Sequence, residues 1–233
     1  MPIDLITRAE WKALAPRGTA DHLARTRGVK VHYTGGRVDP RLAEDHTLCA
    51  AAVRGIQRGH QNGNGWIDIG YSFAVCPHRK VFEGRGLHRL PAANGPGLNA
   101  GHYAILGLVG NSGLVVPPPA MLHGIRDAIE HVRRHGGAGP EIKGHRDGYS
   151  TDCPGPELYR WVRAGAPRPE EDDVDIDAIW HDARIKLNKG EKGEESISPA
   201  AYLQEIETGQ DRTDARLDRV EAKLDQLLAK LNA

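Results

Sequence analysis

No stretch of the 233 residues is both long and apolar enough to cross a membrane, so a membrane span is not expected. The first residues, MPIDLITRAEWKA, lack a basic segment followed by an apolar run. No secretory leader is therefore expected, and the chain reads as one made in a cytoplasm. Cysteine is scarce: Cys49, Cys76 and Cys153 are odd in number and share no spacing, which disfavours a disulfide framework and favours reduced thiols or a metal ligand. Net charge is missing too, with 31 Lys and Arg against 31 Asp and Glu, so no nucleic-acid partner is expected.

The zero balance hides an asymmetry. Residues 1–166 carry 21 basic and 14 acidic side chains, a net of +7, while residues 167–233 carry 10 and 17, a net of −7. A basic globular part suits an anionic polymer. The break coincides with PRPEEDDVDID, a Pro and acid run that reads as a linker. Three segments follow: a catalytic-sized domain at 1–166, an acidic linker at 167–204 with a short helix at 177–188, and a last helix at 205–233. In that helix Leu217, Val220, Leu224, Leu227 and Leu231 are spaced alternately by three and four. The spacing fits either a short coiled coil, which would make residues 210–231 a homo-oligomer seam, or one amphipathic helix lying on its own domain.

Within 1–166 the periodicity switches repeatedly. VKVHYTGG alternates as a strand and ends in two glycines, which puts His32 at a strand's end. Residues 41–59 predict an amphipathic helix, WIDIGYSFAV a strand with Ile67, Ile69, Tyr71, Phe73 and Val75 on one face, and HRKVFEGRG its hairpin partner. HYAILGLVG reads as a buried strand, Pro117 to Pro119 open a helix that runs to about His135, EIKGH is a short strand, and PELYRWVRAG is a last helix. Alternating strands and helices predict an α/β fold with a mixed central sheet flanked by helices.

One stretch, GHRDGYSTDCPG, puts His145 and Cys153 eight residues apart in a segment too rich in Gly, Asp and Ser for a helix. With His32 they supply two nitrogens and a sulfur, the donor set of a catalytic zinc site with one position left open. The residues alone leave other readings standing. Tyr71 shares a predicted face with Ile69 and Phe73 and reads as core, Thr151 as a turn residue, and Cys153 as a buried apolar thiol.

Taken in order, ITRAEW, VHYTGG, IQRGHQNGNGWIDIGYSFAV with VFEGRG, LNAGHYAI with LVGN, and GHRDGYSTDCPG with PELYRW resemble the peptidoglycan recognition protein and type-2 amidase family. That family includes phage amidase lysozymes and bacterial N-acetylmuramoyl-L-alanine amidases, and the resemblance covers residues 5 to about 163. It implies Zn2+-dependent hydrolysis of the amide between N-acetylmuramic acid and the first L-alanine of the stem peptide, with peptidoglycan as partner. It also implies His32, His145 and Cys153 as metal ligands, Tyr71 as the catalytic tyrosine, and Thr151 where the family has Lys or Thr. His60, Arg85 and His102 fall in motif stretches around the expected cleft and are candidates for substrate contact. Asp147 either orients a ligand imidazole or caps a turn. Tyr33 departs from the family, which often has a second histidine there; a change in local packing is expected.

Absence of a leader with a wall-cutting activity is the combination expected of a phage endolysin, made in the host cytoplasm and acting on the wall after release. Two alternatives remain at this level: an intracellular amidase that recycles anhydro-muropeptides, whose relatives commonly have aspartate as third ligand, and a non-catalytic peptidoglycan-binding module.

Overall fold

The computed structural model describes residues 3–169, 185–188 and 194–197. The helix expected at 205–233, with its oligomer seam, and residues 177–184 of the shorter helix lie outside the described residues.

Residues 3–169 are built on a six-stranded mixed sheet. Its strands are β1 (Leu5–Ile6), β2 (Thr26–His32), β4 (Phe73–Val75), β5 (Val81–Glu83), β6 (His102–Gly107) and β8 (Ala138–Gly144); β3 (Arg37–Val38) and β7 (Ser112–Gly113) form a separate parallel pair. The order across the sheet is β1-β5-β4-β6-β2-β8, and only β4 and β5 run antiparallel. Three helices accompany it: α1 (Cys49–Asn62), α2 (Pro119–His135) and α3 (Pro156–Arg163). The expected mixed α/β architecture is what the chain adopts.

The two central parallel strands explain their own composition. Every residue of β6, HYAILG, is buried, as are the last five of β2, so both strands read as near-continuous runs. Gly28 allows the pairing of β2 with edge strand β8: a Cβ there would meet the Glu141 carbonyl oxygen at 1.9 Å. On α2, Met121, Ile125, Ile129 and Val132 are buried at helical spacing, as expected. The same face buries an acid. Asp127 takes Arg79 at 2.8 Å and Arg168 at 2.7 Å, so a buried carboxylate is offset by two guanidinium groups. Pro167 also belongs to this unit, its carbonyl accepting from the Trp161 indole at 2.8 Å.

Two expected elements are shorter than predicted, each for a local reason. The helix expected over 41–59 begins only at Cys49 and runs on to Asn62. Before it, Asp39 and Asp45 each accept the N–H two residues on, capping two separate 3-10 turns at Pro40–Ala43 and His46–Leu48. Of WIDIGYSFAV, only Phe73–Val75 is strand. Upstream, the Asp68 carboxylate takes the Ile69 N–H at 2.8 Å, the Gln57 amide at 2.6 Å and the Arg8 guanidinium at 3.0 Å. Asp68 thus holds the backbone in a loop that sheet pairing would otherwise claim.

Gln57 is the surprise on α1. Fully buried, it accepts from Leu14 N–H at 2.8 Å and donates to Leu14 O at 3.0 Å as well as to Asp68. Gln57→Ala would leave those buried groups unpaired and is expected to cost about 1–3 kcal/mol. Urea unfolding monitored by tryptophan fluorescence measures this; an unchanged midpoint would mean water replaces the amide without loss.

Within residues 171–233, strands β9 (Ile185–Asn188) and β10 (Glu194–Ile197) pair antiparallel. This corrects the helix expected through 188, because IKLN alternates apolar and polar residues with a strand's period of two.

Candidate active site and metal centre

β2 and β8 lie side by side and parallel, with Val31 opposite Gly144. The next residue on each strand is a histidine, His32 and His145, so one register delivers both imidazoles to the same end of the sheet; their ring centroids are 4.5 Å apart. Past His145 the chain turns through His145–Asp147 and comes back, with Arg146 N–H on Cys153 O at 3.0 Å. That return places Cys153 Sγ 3.6 Å from His32 Nδ1. One donor atom from each of His32, His145 and Cys153 lies within 4.8 Å of the others.

Several neighbours fix the donors. Asn94, fully buried, donates through its amide to His102 O at 2.7 Å, which leaves Oδ1 to accept from His32 Nε2 at 2.9 Å. The proton therefore sits on Nε2, and the Nδ1 lone pair points at the cluster. The Asn94 backbone also bonds His145. Cys153 Sγ accepts the Tyr33 N–H at 3.4 Å, and Thr151 Oγ1 accepts the Cys153 N–H at 3.2 Å. Tyr33 packs its ring on Gly155, where a Cβ would come within 3.0 Å of it and φ is +80°. The expected packing change at Tyr33 is this contact.

The electrostatics suit a cation. Burial, with the neighbouring His145 adding to it, drives His32 down to about 3, so its imidazole is neutral at neutral pH, the form a ligand needs. Burial pushes the Cys153 thiol up to about 11, so a thiolate there calls for a positive charge beside it. His145 Nε2 is buried and has no hydrogen-bond partner. Two neutral nitrogens, one sulfur and an orphaned buried lone pair fit a zinc ion.

The three donors line a groove of about 460 Å³, shared with Tyr71, Thr151 and Trp66. Tyr71 meets His32 edge-on, 5.4 Å between centroids, and burial raises its hydroxyl pKa. His60, Arg85 and His102 are not among the residues lining this groove. His60 stacks near Trp66 and Tyr71 at 4.7 and 5.5 Å and accepts the Gly70 N–H at 3.0 Å. Arg85 donates to Ile69 O at 2.9 Å and Leu90 O at 2.7 Å, and His102 is bound to Glu141 at 2.8 Å. All three brace the walls. Asp147 accepts from Gly144 N–H at 2.8 Å and from the Tyr159 hydroxyl at 2.6 Å, which makes it the cap of the turn.

No family model matches the chain. It is 32% identical over 161 residues to peptidoglycan recognition protein 1 of Bos indicus, covering 68% of this chain and 82% of that protein. The chain belongs to the peptidoglycan recognition protein family. It is also 37% identical over 160 residues to the N-acetylmuramoyl-L-alanine amidase of Sus scrofa, covering 67% of this chain but only 26% of that protein, so the chain spans about a quarter of that relative. Among solved structures it is similar to a tyrosine-to-phenylalanine variant of Drosophila PGRP-LB in complex with tracheal cytotoxin, at a TM-score of 0.60 and 25% identity over 70% of this chain and 95% of that one.

For this member of the family, Asn94 is the residue that sequence reasoning missed. It stands in AANGPGLNAGH, where an Asn before a Gly reads as turn chemistry. Asn94→Ala removes the group that orients His32, and zinc affinity is expected to fall by about 10–100-fold. Competition with a chromophoric chelator measures it; unchanged affinity would mean that the strand end alone aims the ring.

Proposed function

We propose that the chain is a zinc-dependent N-acetylmuramoyl-L-alanine amidase that hydrolyses the amide between N-acetylmuramic acid and L-alanine in peptidoglycan. The observation that carries this reading is the convergence of His32, His145 and Cys153 on the floor of an open groove, with Tyr71 at their side. When bound, zinc supplies Lewis-acid polarisation and lowers the pKa of its water to about 7. The rest falls to the protein. Attack on the amide carbon converts the carbonyl oxygen to an oxyanion, and the Tyr71 hydroxyl, kept protonated by burial, can donate to it. Thr151 holds the Cys153 backbone, so its role is to position the sulfur. The leaving nitrogen must gain a proton, and the attacking water's own proton is the source closest to hand.

Presence of all three donors and the tyrosine favours an enzyme over a purely binding module. As biological setting we propose a phage endolysin, made in the host cytoplasm and acting on the wall after release. This is supported by the resemblance to phage amidase lysozymes and by the +7 charge of residues 1–166, which suits an anionic wall. The test is product analysis by mass spectrometry on purified peptidoglycan, with zinc measured in the same sample. Free stem peptides beginning in L-alanine are expected. Wall binding without peptide release would leave a recognition module in place of an enzyme.

A further inference from the structure

A second set of metal-type donors meets away from the groove, at the carboxyl end of β4. His46 comes from the 3-10 turn before α1, Cys49 is the first residue of α1, and Cys76 and His78 follow β4 directly. One donor atom from each of His46, Cys49 and Cys76 lies within 4.8 Å of the others, as tight a grouping as in the groove. Both thiols are fully buried.

Cys76 is prepared to carry negative charge. His46 Nδ1 stands 3.7 Å from its sulfur, and the backbone N–H groups of His78 and Lys80 donate to it. Cys76 N–H in turn donates to Lys80 O at 3.1 Å, closing the turn that aims those donors. A hydrogen bond with the Cys49 thiol, then these N–H groups, hold the Cys76 thiol below its usual range. His78 stands edge-on to His46, 5.5 Å between centroids. Its Nε2 bonds Leu42 O at 2.9 Å and so carries the proton, which leaves Nδ1 as a free nitrogen donor. Two closely spaced donors from each of two segments, His46 with Cys49 and Cys76 with His78, is how structural zinc sites are organised.

We propose that His46, Cys49 and Cys76, with His78 as the fourth donor, bind a structural zinc ion that ties the start of α1 to the turn between β4 and β5. The site is closed and nitrogen–sulfur in character, so it suits zinc rather than a hard cation. It stands independently of the amidase reading, since none of its donors lines the groove.

The test is zinc stoichiometry by plasma mass spectrometry on the full chain, purified under reducing conditions, as wild type, Cys153→Ser and Cys76→Ser. Two zinc ions per wild-type chain are expected and one in each variant. In Cys153→Ser reconstituted with cobalt(II), a thiolate-to-cobalt charge-transfer band is expected, which can arise only from Cys49 and Cys76. Should Cys76→Ser fail to fold, the Cys153→Ser measurements still decide, because that chain keeps the second cluster whole. A Cys153→Ser chain with neither zinc nor the cobalt band would overturn the proposal. So would a Cys49–Cys76 disulfide, read as an intact mass lighter by its two hydrogens.

Discussion

Replacing Cys153 with serine is expected to release the groove's zinc and to lower the rate of amide cleavage by about a thousandfold or more. Lewis-acid polarisation contributes several kcal/mol to the barrier, and each 1.36 kcal/mol is about tenfold in rate. Serine keeps the side chain's length, so the Thr151 and Tyr33 contacts of the loop survive, but its hydroxyl stays protonated and is a poor zinc ligand. Cys153 is only 8% exposed, and the change in volume is small, so thermal stability is expected to move far less than activity. Parallel assays of peptide release, zinc content and melting separate these effects. Full activity with no zinc bound would remove the metal from the mechanism altogether.

Tyr71→Phe is expected to slow turnover by about 100–1000-fold, the usual loss when one donor to a developing oxyanion is removed. The contrast with Cys153→Ser lies in what stays. The Tyr71 ring packs beside His32 and His60, and phenylalanine keeps those contacts. Zinc content and KM should be nearly unchanged while kcat falls. A loss below about tenfold would return Tyr71 to the role that its neighbours Ile69 and Phe73 have, which is core packing.

Tyr71 also shows where sequence reasoning stops. Strict alternation puts Ile69, Tyr71 and Phe73 on one buried face. In the structure Ile69 and Phe73 are buried, while Tyr71 lines the groove, because Asp68 diverts the backbone before the strand begins. A side-chain acceptor that captures a main-chain N–H leaves no trace in hydrophobic periodicity. The metal donors were legible for the opposite reason. His32 and His145 sit at the ends of strands whose apolar runs are plain, and only the neighbour relation of β2 and β8 had to be supplied. Asn94 and the wall-bracing roles of His60, Arg85 and His102 were not legible. Each depends on a tertiary partner, such as Leu90 O or Glu141, that no local pattern points to. The Asp39 and Asp45 caps could have been seen, since an aspartate ahead of a proline or a threonine is ordinary turn chemistry.

The pairing of β2 with β8 has a consequence for how the chain comes to life. β8 is the last strand to join the six-stranded sheet and occupies its edge, and Cys153 is 121 residues from its partner His32. Closing so long a loop comes late, because its entropy is lost before any local contact offsets it. A ribosome that has made only the first hundred residues holds the histidine of β2 and nothing for it to share a metal with. Hydrolytic competence therefore arrives all at once, near the end of synthesis of this unit, and a shortened chain lacking β8 is inert however well its remaining strands pair.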